Sequence, residues 1–273
     1  DGIAPGGASR GADDGDPSST SDGGSGTPDD GGGEADDGGR GDGDGDGDGD
    51  GDGDGDGEPP ECADGASGHV VDPRDGRSYC TVIVGSQRWM AENLRYQPSD
   101  GDWWCPDGDG CEALGVLYRW TTAVGLGPDA LEAKAELTEP VQGVCMPGWH
   151  VPTGAEFETL LSSVGAPTGK KLKAISARWW GQDTYPSTDE YGFAALPAGY
   201  MNCWGAETCK DTTSQVGYVA RFWAATDTDA DSGWFLHISA TSDDAKPHDD
   251  NAANSSISDK FKGMSIRCVE DSS

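Results

Sequence analysis

The stretches Asp72-Pro73-Arg74-Asp75-Gly76-Arg77-Ser78-Tyr79 and Val84-Gly85-Ser86-Gln87-Arg88-Trp89-Met90-Ala91-Glu92-Asn93-Leu94 carry the strongest fold signal in this chain. In the first, the turn residues 73–76 lie between two β-prone runs, 69–72 and 79–84. Because proline and glycine favour the backbone angles of a tight turn, the pattern predicts two short strands joined by a turn. Gly85 and Ser86 predict a second turn, which leads into the rest of the stretch.

A tract of very different composition precedes this signal. Residues 1–60 are mostly Gly, Asp, Ser and Pro, and Gly and Asp alternate strictly from Gly41 to Gly57. Such a chain buries too little apolar surface to offset the entropy of ordering it, so we predict a disordered tail. We therefore divide the chain into a Gly/Asp-rich acidic linker, 1–60, and one folded domain, 61–273, which is long enough to build a core.

The net charge of −32 restricts the partners of the protein. Residues 1–60 hold nineteen acidic residues against two arginines, and the remainder of the chain is acidic as well. An acidic field repels phosphate backbones and anionic lipid, so we expect binding neither to nucleic acid nor to a membrane surface. No stretch approaches the ~20 apolar residues of a membrane-spanning helix, so we predict no transmembrane segment.

All eight cysteines lie in the folded part, which predicts disulfides and export to an oxidising compartment. Cys105 and Cys111 close one short loop, and Cys203 and Cys209 close another, so we expect local pairs there. Zinc is the alternative, but the Cys-x₂₋₄-Cys spacing of zinc sites does not occur. The chain begins at Asp1 without an apolar signal core, and we expect a mature form, a lipoprotein if a lipidated cysteine preceded Asp1.

The remaining segments predict an α+β domain with few helices. Thr153 and Glu156 form a Thr-x-x-Glu capping box before apolar residues at helical spacing, which predicts a helix. Residues 114–124 fit a buried helix or a strand equally well, because periodicity does not separate the two. The Ala/Glu/Leu-rich segment 128–137 predicts a helical insertion. Downstream of the capping box, short aromatic runs between Gly, Pro, Asn and Asp predict short strands and long loops.

Eight motifs, taken in chain order, resemble the Fibrobacter succinogenes major paralogous domain. No single motif is specific, but eight in the same order over nearly all of 69–270 are. The motifs are Asp72–Gly76 with Tyr79, Gly85–Leu94, Gly115–Trp120, Gly143–Pro152, Lys171–Lys173, Asp189–Tyr200, Phe222–Trp223 and Ser265–Val269.

The resemblance implies a C-type-lectin-like fold of few helices, short antiparallel strands and long loops, tied by a long-range disulfide. Carried over to this chain, that disulfide joins Cys145 and Cys268. Cys62 and Cys80 depart from the family pattern and would staple the opening hairpin. The family also implies secretion and surface display, and it offers no catalytic residues to transfer.

Asp227, Asp229 and Asp231 are the candidate metal ligands. Their alternation can direct several carboxylates at one calcium ion, which takes six to eight oxygen ligands. Position 12 of an EF-hand counted from Asp227 would be Ile238, which excludes that motif but not a looser calcium loop. The alternative is an acidic hairpin loop without a metal.

Trp103, Trp104 and Trp204 are the candidate ligand contacts, because exposed aromatic faces stack on sugar rings and these three border loops. Tryptophan is also a core residue. We expect four other tryptophans, which lie within the family motifs, to be buried: Trp89, Trp120, Trp149 and Trp223.

These observations favour a non-catalytic exported protein, extracellular or at the cell surface, that binds a glycan or a surface protein and is displayed on an acidic stalk. The alternative is a structural subunit of an extracellular assembly that contacts other proteins. A third reading, an enzyme, draws on the likeness of the Arg267-Cys268-Val269 ending to formylglycine-generating enzymes, whose active cysteines have no counterpart here. We interpret His150, beside Glu156, as a structural imidazole, because no nucleophile lies nearby in the sequence. We therefore predict no enzyme and, apart from calcium, no cofactor.

Overall fold

A computed structural model shows how the described part of the chain folds. All described residues belong to the second of the two units into which the chain divides, 56–273. The predicted linker 1–60 lies outside them, as do Asp229 and Asp231. The described residues are 62, 67–107, 110–127, 130–131, 135–175, 180, 186–205, 208–210, 212–228, 232–248 and 259–272.

Two sheets form the frame of the domain. The first is antiparallel throughout and has the order β1-β2-β3-β11-β6. Its strands are β1 (Gly68–Val71), β2 (Ser78–Val84), β3 (Gln87–Met90), β6 (Trp149–His150) and β11 (Val269–Glu270).

The second sheet has the order β4-β5-β10-β7-β8-β9 and combines both strand directions. Only the β10–β7 pair is parallel among its described neighbours, with Ser265 opposite Phe222. Its strands are β4 (Trp103–Trp104), β5 (Leu117–Arg119), β7 (Val219–Asp227), β8 (Gly233–Ser239), β9 (Lys246–His248) and β10 (Gly263–Ser265).

The helices are short, so the predicted α+β class with few helices is confirmed. They are α1 (Gly110–Leu114), α2 (Trp120–Ala123), α3 (Gly154–Val164), α4 (Thr168–Leu172) and a 3₁₀ turn at Asp259–Phe261.

Two local predictions are confirmed. β1 and β2 pair around the turn 72–77, with Val71 opposite Ser78, and Gly76 takes the left-handed conformation (φ 75°). The α3 helix begins with the predicted capping box: the Thr153 side chain accepts from the Glu156 N–H, and the Glu156 carboxylate accepts from the Thr153 N–H. In both cases residues within one turn of each other decide the structure.

For two other segments the structure resolves an ambiguous prediction or corrects a wrong one. Residues 114–124 contain both of the alternatives, because β5 ends at Arg119 and α2 begins at Trp120. Of the predicted helical insertion, 128–137, the structure describes 130–131, which are in a 3₁₀ turn, and 135–137, where the prediction is wrong because the chain is not helical. There the Ala135 N–H donates to the Asp227 carboxylate (2.5 Å) instead of to a helical carbonyl.

Three hydrophobic clusters fill the described core, two of them built around aromatic rings, and the four tryptophans expected to be buried are all buried. The first cluster surrounds Trp120 and Trp223 and includes Cys145 and Cys268. The second lies around Trp89, whose ring centroid is 5.2 Å from that of Phe157 on α3. Burying aromatic surface of this kind is the main source of folding free energy.

A fully buried arginine connects three of the sequence motifs. Arg267 donates to the Asn93 side-chain oxygen (2.6 Å), to the Phe193 carbonyl oxygen and to the Ala194 carbonyl oxygen (3.3 Å). The Asn93 amide in turn donates to the Leu114 carbonyl oxygen (2.8 Å). Burial lowers the pKa of Arg267 to about 9, with Asp189 and Glu92 acting in the opposite direction. These motif residues therefore hold the interior together.

Four disulfides join all eight cysteines: Cys62–Cys80, Cys105–Cys111, Cys145–Cys268 and Cys203–Cys209. They are the pairs named from the sequence and from the family resemblance. Disulfides form and persist in oxidising compartments, so the protein is exported from the cytoplasm. No helix in the described part of the chain is long and apolar enough to cross a membrane.

Candidate functional site

The two short disulfide loops are linked to each other by hydrogen bonds. The Asp107 N–H donates to the Thr213 hydroxyl (3.0 Å), and the Thr213 N–H donates back to the Asp107 carboxylate (2.9 Å). Asp107 lies inside the Cys105–Cys111 loop, and Thr213 follows the Cys203–Cys209 loop by four residues. Segments far apart in sequence thus form one surface.

A buried arginine anchors this surface to the second sheet. Arg119, at the end of β5, forms an ion pair with Asp102 (2.8 Å) and donates to the Gly205 carbonyl oxygen (3.2 Å) inside the Cys203–Cys209 loop. Burial lowers the pKa of Arg119, and the charge of Asp102 offsets only part of that effect. Arg119 therefore fixes the position of a loop whose own backbone is already closed by a disulfide.

Trp103 and Trp104 form the edge strand β4 and are partly buried. The Trp103 indole N–H donates to the Pro98 carbonyl oxygen (3.1 Å), and the ring packs against the first core cluster. Trp104 packs over Gly263, where an added Cβ would lie 2.6 Å from the Trp104 ring. Both rings therefore have packing partners, and their contact with a ligand stays a prediction.

Trp204, unlike Trp103 and Trp104, is exposed (49%). It directly follows Cys203, at the start of the Cys203–Cys209 loop. Its backbone N–H donates to the Thr208 carbonyl oxygen (2.8 Å), which holds the loop closed beside the disulfide. The Lys210 ammonium lies 5.9 Å from the Trp204 ring centroid. Of the three predicted tryptophans, Trp204 presents the most open face.

The segment leading to Trp204 alternates between core and surface. Met201 and Cys203 are buried, whereas Tyr200 and Asn202 are partly exposed. Backbone pairing of Tyr200 with Ser214 and of Met201 with Gly263 keeps the segment extended. Tyr200, Asn202 and Trp204 therefore lie on the face opposite Met201 and Cys203, and we call these three the aromatic stripe. Tyr200 packs against the first core cluster, whereas Trp204 is exposed.

An arginine that the sequence analysis did not single out covers one end of the stripe. The Arg221 guanidinium carbon lies 4.1 Å from the Tyr200 ring centroid. The sequence of 199–204 alternates with the period of a strand, and that of 219–227 is also typical of a strand. Neither pattern shows that the two segments lie side by side, so the contact between Arg221 and Tyr200 could not be predicted. The pairing of Gly199 with Ala220 brings them together.

The structure places only part of the predicted calcium loop. The Asp227 side chain is buried and forms an ion pair with Lys260 (2.7 Å), while its second oxygen accepts from the Ala135 N–H. Its charge is therefore neutralised within the fold. Asp229 and Asp231 lie outside the described residues, and calcium binding there stays a prediction. Within the described residues, no three His, Cys, Asp or Glu side chains are grouped as a metal site.

His150 is hydrogen-bonded to carboxylates through both of its ring nitrogens. Its Nδ1 lies 2.7 Å from the Asp271 carboxylate and its Nε2 2.9 Å from the Glu156 carboxylate. Burial lowers the pKa of His150, but these two hydrogen bonds outweigh it and raise the pKa above 6.5. The imidazolium thus ties the start of α3 to the C-terminal segment.

Two clefts in the described part of the chain are lined by residues other than those of the aromatic stripe. One, of about 470 Å³, is lined by Arg74 and Tyr96 among other residues, and Arg74 is paired with the buried Asp72 (2.6 Å). The other, of about 490 Å³, includes Arg88 and Glu270, which pair at 2.9 Å. These charged groups are matched within the domain, which distinguishes both clefts from the surface beside Arg221.

Comparison with known proteins identifies a family. The family model of the Fibrobacter succinogenes major domain matches residues 82–270, well over half of the chain. Neither a curated protein nor a solved structure matches the chain. The match covers β3 to β11, the Arg267 network and the Cys145–Cys268 disulfide. The chain therefore belongs to the Fibrobacter succinogenes major domain family.

Proposed function

We propose that this chain is a non-catalytic exported protein whose folded domain binds a saccharide through the aromatic stripe. The observation that carries the proposal is the placement of Trp204: its face is open, and its loop is fixed by a disulfide, by Arg119 and by the Lys210 contact. A rigid, exposed indole loses little entropy when a flat apolar face, such as that of a sugar ring, stacks on it. We further propose that the domain has a C-type-lectin-like fold and that residues 1–60 form an acidic stalk that displays it at the cell surface.

The hydrogen bonding of His150 and the pairing of the cysteines support a binding role over catalysis. Both nitrogens of His150 are engaged by carboxylates, and all eight cysteines are in disulfides. A general base needs a free acceptor nitrogen, and a thiol nucleophile needs a free thiol.

A glycan array probed with the full chain, 1–273, tests the proposal. We expect wild-type protein to bind a subset of saccharides and Trp204→Ala to lose that binding. Ile83→Ala is the matched control, because Ile83 is also exposed (59%) but lies on β2 in the other sheet. A blank array with folded protein, or equal binding by Trp204→Ala, would contradict the proposal and favour a structural subunit that contacts other proteins.

The same array, run in calcium and again in EDTA, separates the two predicted sites. Because Asp227 is already neutralised by Lys260, we expect the bound set to be the same in both buffers. Binding that required calcium would instead assign the site to the loop that contains Asp229 and Asp231.

A further inference from the structure

Basic side chains lie in register on three neighbouring strands of the second sheet, and a fourth lies just before the strand beside them. Arg221 on β7 lies opposite His237 on β8, and His237 lies opposite Lys246 on β9. Lys262 directly precedes β10, the parallel neighbour of β7. Because side chains two residues apart share a face, Lys262 lies on the same face as Met264 and therefore as Arg221. We call these four residues the basic row.

The basic row is unusual in a chain of net charge −32. Like charges on directly opposed strand positions destabilise a sheet. Burial, and then the charge of Arg221, lowers the pKa of Lys262 to about 8. The two cations therefore lie close enough to destabilise each other.

Arg221 lacks the partners that such a group normally has. Within the described part of the chain it makes no hydrogen bond and no ion pair, and its Nε atom is buried without an acceptor. Its contacts are the rings of Tyr200 (4.1 Å) and Phe235 (5.3 Å). The rings hold the guanidinium in place, and no acceptor for its terminal N–H groups lies among the described residues.

We propose that the basic row is a subsite for the acidic group of a saccharide, a carboxylate or a sulfate, held by Arg221. The inference rests on the proposed saccharide binding, because Arg221 covers Tyr200 at one end of the aromatic stripe. A guanidinium donates two parallel hydrogen bonds to a carboxylate or sulfate, and it binds them more strongly than neutral acceptors. The ligand class is therefore an acidic oligosaccharide.

The dimensions of the stripe fit an oligomer. An extended run from Tyr200 to Trp204 covers roughly 13 Å at the usual rise per residue. A single pyranose ring is shorter than this distance. One sugar unit would stack on Trp204 while the acidic group of another unit pairs with Arg221.

The test compares polygalacturonate with its methyl ester, which differ in charge but share the same sugar backbone. Affinity electrophoresis of the full chain measures retardation by each polymer. We expect wild-type protein to be retarded by the acid at least ~tenfold more strongly than by the ester, and the difference to shrink as salt is added. Equal retardation by acid and ester would overturn the inference.

Three variants test whether Arg221 causes the preference for the acidic polymer. Arg221→Met is expected to lose the preference for the acid, and Arg221→Lys to keep only part of it, because lysine lacks the two-pronged geometry. Arg88→Met is the matched control: it removes one positive charge on β3, in the other sheet, and should leave the preference unchanged. Thermal melting checks folding, and Arg221→Met should melt no lower than wild type. An unchanged preference in Arg221→Met would overturn the inference.

The outcomes separate this inference from the proposed function. If Trp204→Ala keeps its binding to every saccharide, the proposed function fails. If Trp204→Ala loses binding but acid and ester bind wild type equally, only the acidic subsite fails. In a last experiment, a peptide of residues 41–57 replaces the polymer, because its aspartates also offer carboxylates. Binding of this peptide without binding of polygalacturonate would overturn the inference and assign the basic row to the acidic tract.

Discussion

Two of the arginines that stack on aromatic rings in this domain, Arg267 and Arg221, have different surroundings. The Arg267 guanidinium carbon lies 4.4 Å from the Phe193 ring centroid, and that of Arg221 lies 4.1 Å from the Tyr200 ring centroid. Arg267 donates to three oxygens of the interior, whereas Arg221 has no acceptor among the described residues. The Nε atom of each is buried without an acceptor, so the difference lies in the terminal N–H groups, which have acceptors in Arg267 but none among the described residues in Arg221. We interpret Arg221 as serving a ligand.

The same contrast separates the family motifs from the surface we propose to be functional. Asn93, Phe193 and Arg267 lie in three of the motifs and meet in the interior. Asn202, Trp204 and Arg221 lie outside the motifs, and Trp204 among them is exposed. The motif residues thus form the interior frame of the domain, whereas the residues of the proposed binding surface, apart from Tyr200, lie outside the motifs.

The largest expected effect compares two disulfides. Removing the long-range bridge with Cys145→Ala/Cys268→Ala should lower the free energy of unfolding by about 5 kcal/mol, because it frees a loop of 123 residues in the unfolded chain. Cys203→Ala/Cys209→Ala opens a separation of 6 and should cost about 2 kcal/mol. Urea denaturation measures both free energies. Equal losses would contradict our view that the Cys145–Cys268 disulfide belongs to the interior frame and the Cys203–Cys209 disulfide to the surface.

The two arginines should respond in opposite ways to the same substitution. Arg267→Met leaves the Asn93 and Phe193 oxygens buried without a donor and should cost about 3–5 kcal/mol of unfolding free energy. Arg221→Met removes a charge without a partner and should change stability by less than about 0.5 kcal/mol or raise it. Urea denaturation of both variants checks this, and a large loss in Arg221→Met would show that the fold uses Arg221.

His150 makes the stability of the frame depend on pH. Its pKa is raised, so its contribution is complete below pH 6.5 and is lost as pH rises through the folded-state value. The pKa of Glu156 is lowered below 4.5, so its contribution is lost as pH falls through that lower value. His150→Gln should therefore cost most between pH 4.5 and 6.5, about 2 kcal/mol for charge-assisted hydrogen bonds. Melting temperatures of both proteins measure this, and a difference that grew above pH 7 would contradict it.

The smallest expected effect on stability is that of Trp204→Ala. An exposed side chain with few packing contacts should change the free energy of unfolding by less than about 0.5 kcal/mol, although its loss should abolish saccharide binding. By contrast, Trp89→Ala in the core should cost about 3–5 kcal/mol. Denaturation of both variants sharpens the comparison, and a loss above 2 kcal/mol for Trp204→Ala would place that ring in the frame.

Sequence reasoning succeeded where the determinants are local. The turn at Pro73–Gly76 and the capping box at Thr153 depend on neighbouring residues, and both were predicted. The Cys145–Cys268 disulfide was named only through the family resemblance, because eight cysteines allow too many pairings. Residues 114–124 were ambiguous because the elements there are too short to show a period.

The chemistry of the arginines was not predictable because it depends on distant contacts. Arg267 and Asn93 are 174 residues apart, and no local pattern connects them. The basic row exists only through strand register, which sequence alone does not fix. Trp103 and Trp104 have the sequence of a loop-bordering pair, yet edge-strand pairing with β5 gives them packing contacts instead.

A nuclear magnetic resonance titration tests the central claim most directly. Isotope-labelled full chain is titrated with a tetramer of galacturonate while the tryptophan indole and arginine side-chain N–H signals are followed. Our account predicts that the signals of Trp204 and Arg221 shift together, while those of Trp89, Trp120 and Arg267 stay in place. Saturable shifts confined to the Arg74–Tyr96 cleft or to Trp103 and Trp104, with Trp204 and Arg221 unmoved, would contradict it.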